Sequence, residues 1–198
     1  HREVCTHHLE RKLERERGRL GGDDRSIGYA CVKLGDLYLE QDRFEEAEEH
    51  FSDALRIFTL IEGERSANVA VVTIELGRVY RMLGRYDDAL RMCKRSLRVR
   101  RRLHGDGHES VAYALNSVGN ALSKKGELEG AMGKFEEARA VYVGVYGEDH
   151  EDVAMVLTNM ANILKDKGLD GEALAMGEKV LGIKRRTLGP DNEKIAIS

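Results

Sequence analysis

The sequence predicts an all-α fold, built as a solenoid of stacked helix pairs. The 198-residue chain contains a single proline, which favours helices over the turn-rich architectures of β proteins. A short apolar signature recurs at a spacing of 42 residues, and each period holds two clusters of apolar residues at helical spacing. A repeat of this length is typical of helical units that stack around one continuous core. The signature occurs at residues 69–70, 111–112, 153–154 and 195–196.

Each repeat is predicted to contain a first helix, a tight turn and a longer second helix. We count repeat positions from the residue after the Val or Ile of the signature. Positions 4, 7, 8 and 11 then share one face of the first helix, and positions 20, 24, 27 and 28 share one face of the second. Small residues at positions 8 and 20 let the two helices approach closely. Position 8 holds Gly35, Gly77, Gly119 and Ala161.

A residue suited to left-handed backbone stands at position 15, where the first helix should end. Gly84, Gly126 and Gly168 occupy this position, and Asp42 occupies it in the first repeat. Glycine commonly ends helices in this conformation, and aspartate tolerates it better than most residues. The turn between the two helices of each repeat is therefore predicted here.

The period divides the whole chain. Residues 1–26 are predicted to be the second helix of a preceding partial repeat, with a degenerate cap as the alternative, and residues 195–198 begin a further repeat. Repeat 4 is degenerate because Asp170 at position 17 and Gly177 at position 24 replace larger side chains. We expect looser packing there, and flanking repeats of the same longer chain on both sides. The four repeats are residues 27–68, 69–110, 111–152 and 153–194.

Several segments resemble a known repeat family. Residues 34–38, 43–47 and 51–54 read LGDLY, RFEEA and FSDA, which resembles the tetratricopeptide repeat. Residues 103–112, 146–154 and 188–196 are similar to the inter-repeat signature of the 42-residue branch of kinesin light chain and nephrocystin. The resemblance implies a right-handed superhelical α-solenoid whose first helices line a concave groove. It also implies that asparagines of the first helices hold a peptide, with Asn116 at the best matched position.

The stripe opposite the core of the first helices has the composition of a recognition surface. Positions 2, 5, 9 and 12 mix tyrosine, asparagine, arginine and apolar residues instead of the Glu and Lys of a solvated face. Asparagine donates to and accepts from a peptide backbone at once. Arg78 and Arg81 suit an acidic ligand, which Asp36 would discourage nearby. The predicted groove residues are Tyr29, Asp36, Ile74, Arg78, Arg81, Tyr113, Asn116, Asn120, Thr158, Asn159, Asn162 and Lys165.

The charge is unevenly distributed along the repeats, although the chain as a whole carries −3. Residues 27–68 hold 4 basic and 10 acidic residues, and residues 69–110 hold 10 and 5. These runs are either a solvated outer face with attraction between neighbouring repeats, or an acidic and a basic docking patch. The basic run at residues 98–102 lacks interleaved aromatic residues, so nucleic-acid binding is not expected.

The sequence gives no support for catalysis. The nucleotide-binding GxxxxGK[ST], zinc-protease HExxH and hydrolase GxSxG patterns are all absent, so we expect no enzyme activity and no cofactor. Cys5, Cys31 and Cys93 fall at core positions, which indicates buried thiols. His108 and His150 share a repeat position, where each is either a ligand or pH sensor or, as we expect, a residue that satisfies a backbone group before the next helix. No metal site is predicted.

The sequence therefore predicts a non-catalytic scaffold that binds an extended peptide or a partner helix in the concave groove. The alternative is a structural spacer or clamp in a larger assembly, which contacts partners through its edges and convex face. Three cysteines without a CxxC motif indicate free thiols in a reducing, intracellular compartment, and we expect the cytoplasm. No apolar run is long enough to span a bilayer, so membrane insertion is not expected.

Overall fold

The computed structural model describes residues 2–188, with side chains described for residues 6–187. This part of the chain contains nine α-helices and no strand, as the sequence predicts. They are α1 (Arg2–Leu20), α2 (Arg25–Leu39), α3 (Phe44–Glu62), α4 (Ala67–Met82), α5 (Tyr86–His104), α6 (Glu109–Lys125), α7 (Leu128–Tyr146), α8 (Glu151–Asp166) and α9 (Asp170–Leu188).

The helices repeat with the period of the sequence. Helices α2, α4, α6 and α8 begin 42 residues apart, and so do α3, α5, α7 and α9. The first group, which we call first helices, has 15 to 17 residues, whereas each second helix has 19. The exact limits of the repeats remain a prediction, and the segment 195–198 lies outside the described residues.

Every first helix begins with a side-chain cap at the same repeat position. Asp24 and Ser66 accept hydrogen bonds from the backbone N–H groups of the first turn, at 2.8 and 3.2 Å. His108 and His150 do the same through Nδ1, which accepts from the N–H two residues later at 3.1 and 3.2 Å. Such caps satisfy groups that the helix itself leaves without a partner. The two histidines thus have the backbone role that we expected.

The first helices end in left-handed backbone, as predicted. The φ angles of Asp42, Gly84, Gly126 and Gly168 are +56°, +74°, +88° and +76°. At the last three positions glycine removes the steric cost of this conformation. The chain can therefore reverse direction within a few residues and lay the second helix against the first.

The chain divides into two compact units; the first ends at Leu103 and the second begins at His104. In the first unit, α2 packs against α3, and α3 packs against α4. In the second unit, α6 packs against α7, α7 against α8, and α8 against α9. Core positions 4, 7 and 11 of the first helices are buried in both units, and so are Ala47, Ala89 and Ala131 at position 20.

The glycine at position 8 of the first helix lies against the side chain at position 24 of the second. A Cβ atom added to Gly35 would lie 2.7 Å from the Phe51 ring, and one added to Gly119 would lie 2.6 Å from Phe135. A Cβ atom added to Gly77 would lie 2.5 Å from the Cys93 Sγ. These distances leave no room for a side chain at position 8, so glycine permits the close approach of the helices.

Helix α9 packs more loosely than α7. It buries only Val180 and Ile183 among its described side chains, and Leu174 is 67% exposed. Nothing described lies within 4 Å of the place where a Cβ on Gly177 would stand. A cleft of about 590 Å³ lies beside α9 and is also lined by residues of α7, of α8 and of the loop between them. By contrast, α7 buries Ala131, Phe135, Ala138 and Tyr142. The missing position 24 side chain in α9 accounts for part of this difference.

The position 8 contact predicts a specific loss of stability. We expect Gly119→Val to lower the free energy of unfolding by about 1–3 kcal/mol, because the new side chain must displace the Phe135 ring. Gly133→Val in α7 is the matched control, since no described atom lies near its Cβ position. Urea unfolding followed by circular dichroism measures both. Equal stability of the two variants would contradict a steric role for position 8.

Hydrogen exchange tests the packing of α9. Amide protection follows the free energy of local opening, so the weakly buried α9 should exchange faster than α7. We expect protection factors in the middle of α9 to be about tenfold or more lower than in α7, which corresponds to roughly 1.4 kcal/mol. Mass spectrometry of peptic fragments resolves the two helices. Equal protection would show that α9 is as firmly packed as α7.

Candidate functional site

The exposed faces of the first helices carry large side chains where a solvated helix would carry charges. Position 2 holds Tyr29, Val71, Tyr113 and Met155, which are 50%, 44%, 38% and 37% exposed. An apolar or aromatic side chain at each of these positions offers a partner area that it can bury. Because the two units are described separately, the face on α2 and α4 is treated first and the face on α6 and α8 after it.

On the first unit, Tyr29 is held in place by its neighbours. Its ring meets Phe58 of α3 edge-on, with ring centroids 5.1 Å apart. The Asn68 Nδ2 donates a hydrogen bond to the Tyr29 hydroxyl at 2.9 Å and another to Glu62 at 2.9 Å. One face of the ring therefore packs on the protein while half of the side chain stays exposed. Tyr29 is therefore held in one orientation, and a side chain that is already oriented loses less entropy when a partner binds it.

Charged groups converge at the middle of this face. The Arg78 Nη1 lies 3.8 Å from Glu75 Oε2, and its charge also acts on Asp36. Desolvation raises the pKa of both carboxyl groups, and the arginine only partly offsets this. Arg81, one turn later, is half-buried and makes no ion pair with any described residue. Two acidic groups and two arginines thus share one short stretch of surface.

On the second unit, an amide pair links the two first helices. Asn159 of α8 donates from Nδ2 to the Asn116 Oδ1 of α6 at 2.9 Å. Asn116 is only 4% exposed, and Asn159 is half-buried. The pair fixes the separation of α6 and α8 at this level, because a buried amide oxygen without a donor is costly.

Two further asparagines flank this pair with their amides unused. Asn120 and Asn162 make no side-chain hydrogen bond to any residue that the structure describes, and Asn162 is exposed. Lys165 is also exposed. Thr158 differs, because its hydroxyl donates to the Ala154 carbonyl of its own helix at 2.8 Å. The amides of Asn120 and Asn162 therefore keep donor and acceptor atoms of the kind that a peptide backbone can pair with.

The structure corrects the expected surface at position 5. Ile74 is 2% exposed and Asn116 is 4% exposed, so neither side chain stands free on the face. Position 5 lies next to core position 4 on the helix, and in α6 a neighbouring first helix covers it. Asn116 can therefore act only through Asn159. The other predicted residues lie on the faces described above, with Thr158 turned to its own backbone.

Sequence reasoning missed two residues that shape the first face. Asn68 orients Tyr29, and Glu75 shares Arg78 with Asp36. Glu75 stands at position 6, one residue after the buried position 5, and Asn159 occupies the same position in repeat 4. The polar residue at position 6 of repeats 2 and 4 was therefore the sequence signal that could have identified Glu75.

The two thiols whose side chains are described lie in surroundings that disfavour the reactive thiolate. Cys31 and Cys93 are free and buried, and burial raises the pKa of both. For Cys93 the value reaches about 12, so the thiolate needed by a nucleophile is not populated. The side chain of Cys5 lies outside the described residues. Among the residues that the structure describes, no three His, Cys, Asp or Glu side chains are grouped to hold a metal ion.

Comparison with known proteins identifies the repeats. The family model of the tetratricopeptide repeat matches residues 24–92, 69–142 and 119–186. The chain belongs to the tetratricopeptide repeat family. Members of this family are generally scaffolds for protein–protein interactions. None of the described helices is long and apolar enough to cross a bilayer. No curated protein sequence matches the chain.

Solved structures of the kinesin light chain type share this tetratricopeptide fold. A protein of Podosopora anserina, titled as a kinesin light chain with nearly identical TPR-like repeats, superposes with a TM-score of 0.79, and a single-substitution variant of it with 0.82. Both are 17% identical to this chain, and each alignment covers 94% of this chain and 88% of the other protein's chain. BtubC (BKLC) from P. vanneervenii is 22% identical, with a TM-score of 0.79 over 91% of this chain and 72% of its own. The predicted fold class and the resemblance are both confirmed.

The amide pair predicts a difference between two neighbouring asparagines. Asn159→Ala removes the donor to the buried Asn116 oxygen, so we expect the free energy of unfolding to fall by about 1–3 kcal/mol. Asn162→Ala, three residues later on the exposed side of α8, should change it by less than about 0.5 kcal/mol. Urea unfolding of the two variants decides the point. A larger loss from Asn162→Ala would contradict the assigned roles.

Proposed function

We propose that the protein is a non-catalytic scaffold whose first-helix faces bind an extended peptide of a protein partner. The observation that carries this proposal is the patch of asparagine amides on α6 and α8. Asn120 and Asn162 have both donor and acceptor atoms without partners in the described chain, and the Asn116–Asn159 pair holds their helices at a fixed separation. A fixed row of amides matches the alternating N–H and C=O groups of an extended backbone.

Exposed apolar side chains beside the amides supply the rest of the binding energy. Tyr113 and Met155 are exposed on the same two helices as Asn120 and Asn162. Amides bind a backbone without reading its sequence, whereas side-chain contacts with Tyr113 and Met155 favour apolar residues of the peptide. We therefore infer a ligand with apolar residues spaced along an extended segment.

The face on α2 and α4 gives the first unit a different preference. Tyr29 offers an oriented aromatic surface, and Arg78 and Arg81 attract carboxylates. Asp36 and Glu75 limit this attraction, because both lie within the field of Arg78. The proposal is that this face selects peptides with a single acidic residue over strongly acidic ones.

A structural spacer or clamp is the second candidate. It is favoured by exposed apolar side chains on second helices, such as Leu60 at 65% and Leu174 at 67%. In that role the partners contact the second helices and leave the first-helix faces unused. For either role we propose an intracellular, reducing compartment, to which the free, buried Cys31 and Cys93 are suited.

A peptide selection tests the proposed function. Random peptides displayed on phage are selected against the wild-type chain, and their affinities are measured by fluorescence anisotropy. We expect Asn120→Ala/Asn162→Ala to weaken the selected peptides by about tenfold or more, because two amides lose their backbone hydrogen bonds at about 1 kcal/mol each.

Glu136→Ala on α7 provides the matched control, because Glu136 is exposed and lies on a second helix. This variant should bind the selected peptides with unchanged affinity. If every selected peptide instead binds the double asparagine variant as tightly as wild type, the first-helix face is not the binding surface. Loss of binding in Glu136→Ala alone would favour the clamp.

A further inference from the structure

Helix α5 carries a row of cations along one face. Six basic residues of this helix fall within about 120° of arc, at 100° per residue, and they extend over about 16 Å of its axis. All are exposed except Arg95, which is half-buried. We call this surface the α5 basic stripe; it consists of Arg91, Lys94, Arg95, Arg98, Arg101 and Arg102.

Most of the stripe is not neutralised by the protein itself. Arg91 pairs with Asp88 at 2.8 Å, and Arg101 also has an interaction. Lys94, Arg95 and Arg98 form no ion pair with any described residue, and Arg102 forms none either. Lys94 and Arg98 lie one turn apart, and like charges at this spacing repel each other. The stripe therefore destabilises its own helix.

The repeat architecture does not require these cations. In α7, the second helix of the next repeat, the positions that correspond to Lys94 and Arg98 hold Glu136 and Ala140. Arg102 corresponds to the exposed Leu60 in α3 and to Gly144 in α7. The fold therefore tolerates widely different side chains on this face. Because the repulsion among the cations of the stripe destabilises α5, their presence points to a ligand that they bind.

We propose that the α5 basic stripe is a docking surface for an acidic segment of a protein partner, separate from the first-helix faces. We choose an acidic segment because its charge complements the stripe. The four unpaired cations follow one another at one helical turn or less, so they can pair with carboxylates spaced along a segment of similar length. Arginine, which supplies three of these four, binds carboxylates in a bidentate manner.

A short acidic protein segment fits this surface better than a longer polyanion does. The stripe contains no aromatic side chain on which bases could stack. At its start the stripe is also bounded by the acidic Asp87 and Asp88 in the first turn of α5. A nucleic acid or membrane extending beyond α5 would meet these carboxylates, whereas a segment as short as the stripe avoids them.

Binding of a defined acidic probe tests the proposal. The probe is a fluorescein-labelled peptide of about eleven residues, which as a helix is as long as the stripe, with glutamate at i, i+3 and i+4 spacing and alanine elsewhere. Anisotropy at about 150 mM salt measures its affinity, with the glutamine version of the peptide as the uncharged control. We expect the glutamate peptide to bind, the glutamine peptide not to bind, and Lys94→Glu/Arg98→Glu to weaken binding by about tenfold or more.

Lys184→Glu/Arg185→Glu on α9 is the matched variant, because it makes the same change in net charge at exposed positions. It should bind the glutamate peptide within about twofold of wild type. Equal loss in both variants, or no binding by the wild type, would overturn the proposal. So would stronger binding of single-stranded RNA or phosphatidylserine vesicles through Lys94 and Arg98. Asn120→Ala/Asn162→Ala should leave binding unchanged, which separates this surface from the proposed peptide site.

Discussion

The contact between position 8 and position 24 sets the spacing of the two helices in a repeat. At Gly35, Gly77 and Gly119 the opposing side chain reaches the backbone so closely that a Cβ could not be placed without displacement. The opposing side chain is phenylalanine in two repeats and cysteine in the third, and the contact is kept in all three. Because first helices are held in place by this contact, it also fixes where their exposed faces stand.

The sequence period was sufficient to predict the pairs of helices and the turn that follows each first helix. Caps, turns and close contacts are local features that depend on single residue types, so Asp24, Ser66, His108 and His150 recur at the same place as the helix starts. Even Asp42, which replaces glycine at position 15 of the first repeat, could be predicted, and it adopts the same left-handed backbone as Gly84, Gly126 and Gly168.

The site was less predictable because it depends on neighbouring helices. A helical pattern assigns a residue to a face of its own helix, but it does not reveal which other helix covers that face. Asn116 was therefore expected at the surface, whereas Asn159 of the adjacent first helix buries it. Asn120, which stands on the next turn of α6, keeps its amide unused. A single turn separates the buried Asn116 from Asn120, the residue that we propose for recognition.

The unused amides of Asn120 and Asn162 are the centre of the functional account, and NMR can observe them directly. The side-chain NH₂ resonances of these residues are followed while a phage-selected peptide is titrated into the labelled protein. The account predicts that both shift progressively to saturation, while the resonance of Asn68, already bonded to Tyr29 and Glu62, stays in place during binding to the second unit. Saturation with both amides unmoved, and with shifts confined to α7 or α9, would contradict it.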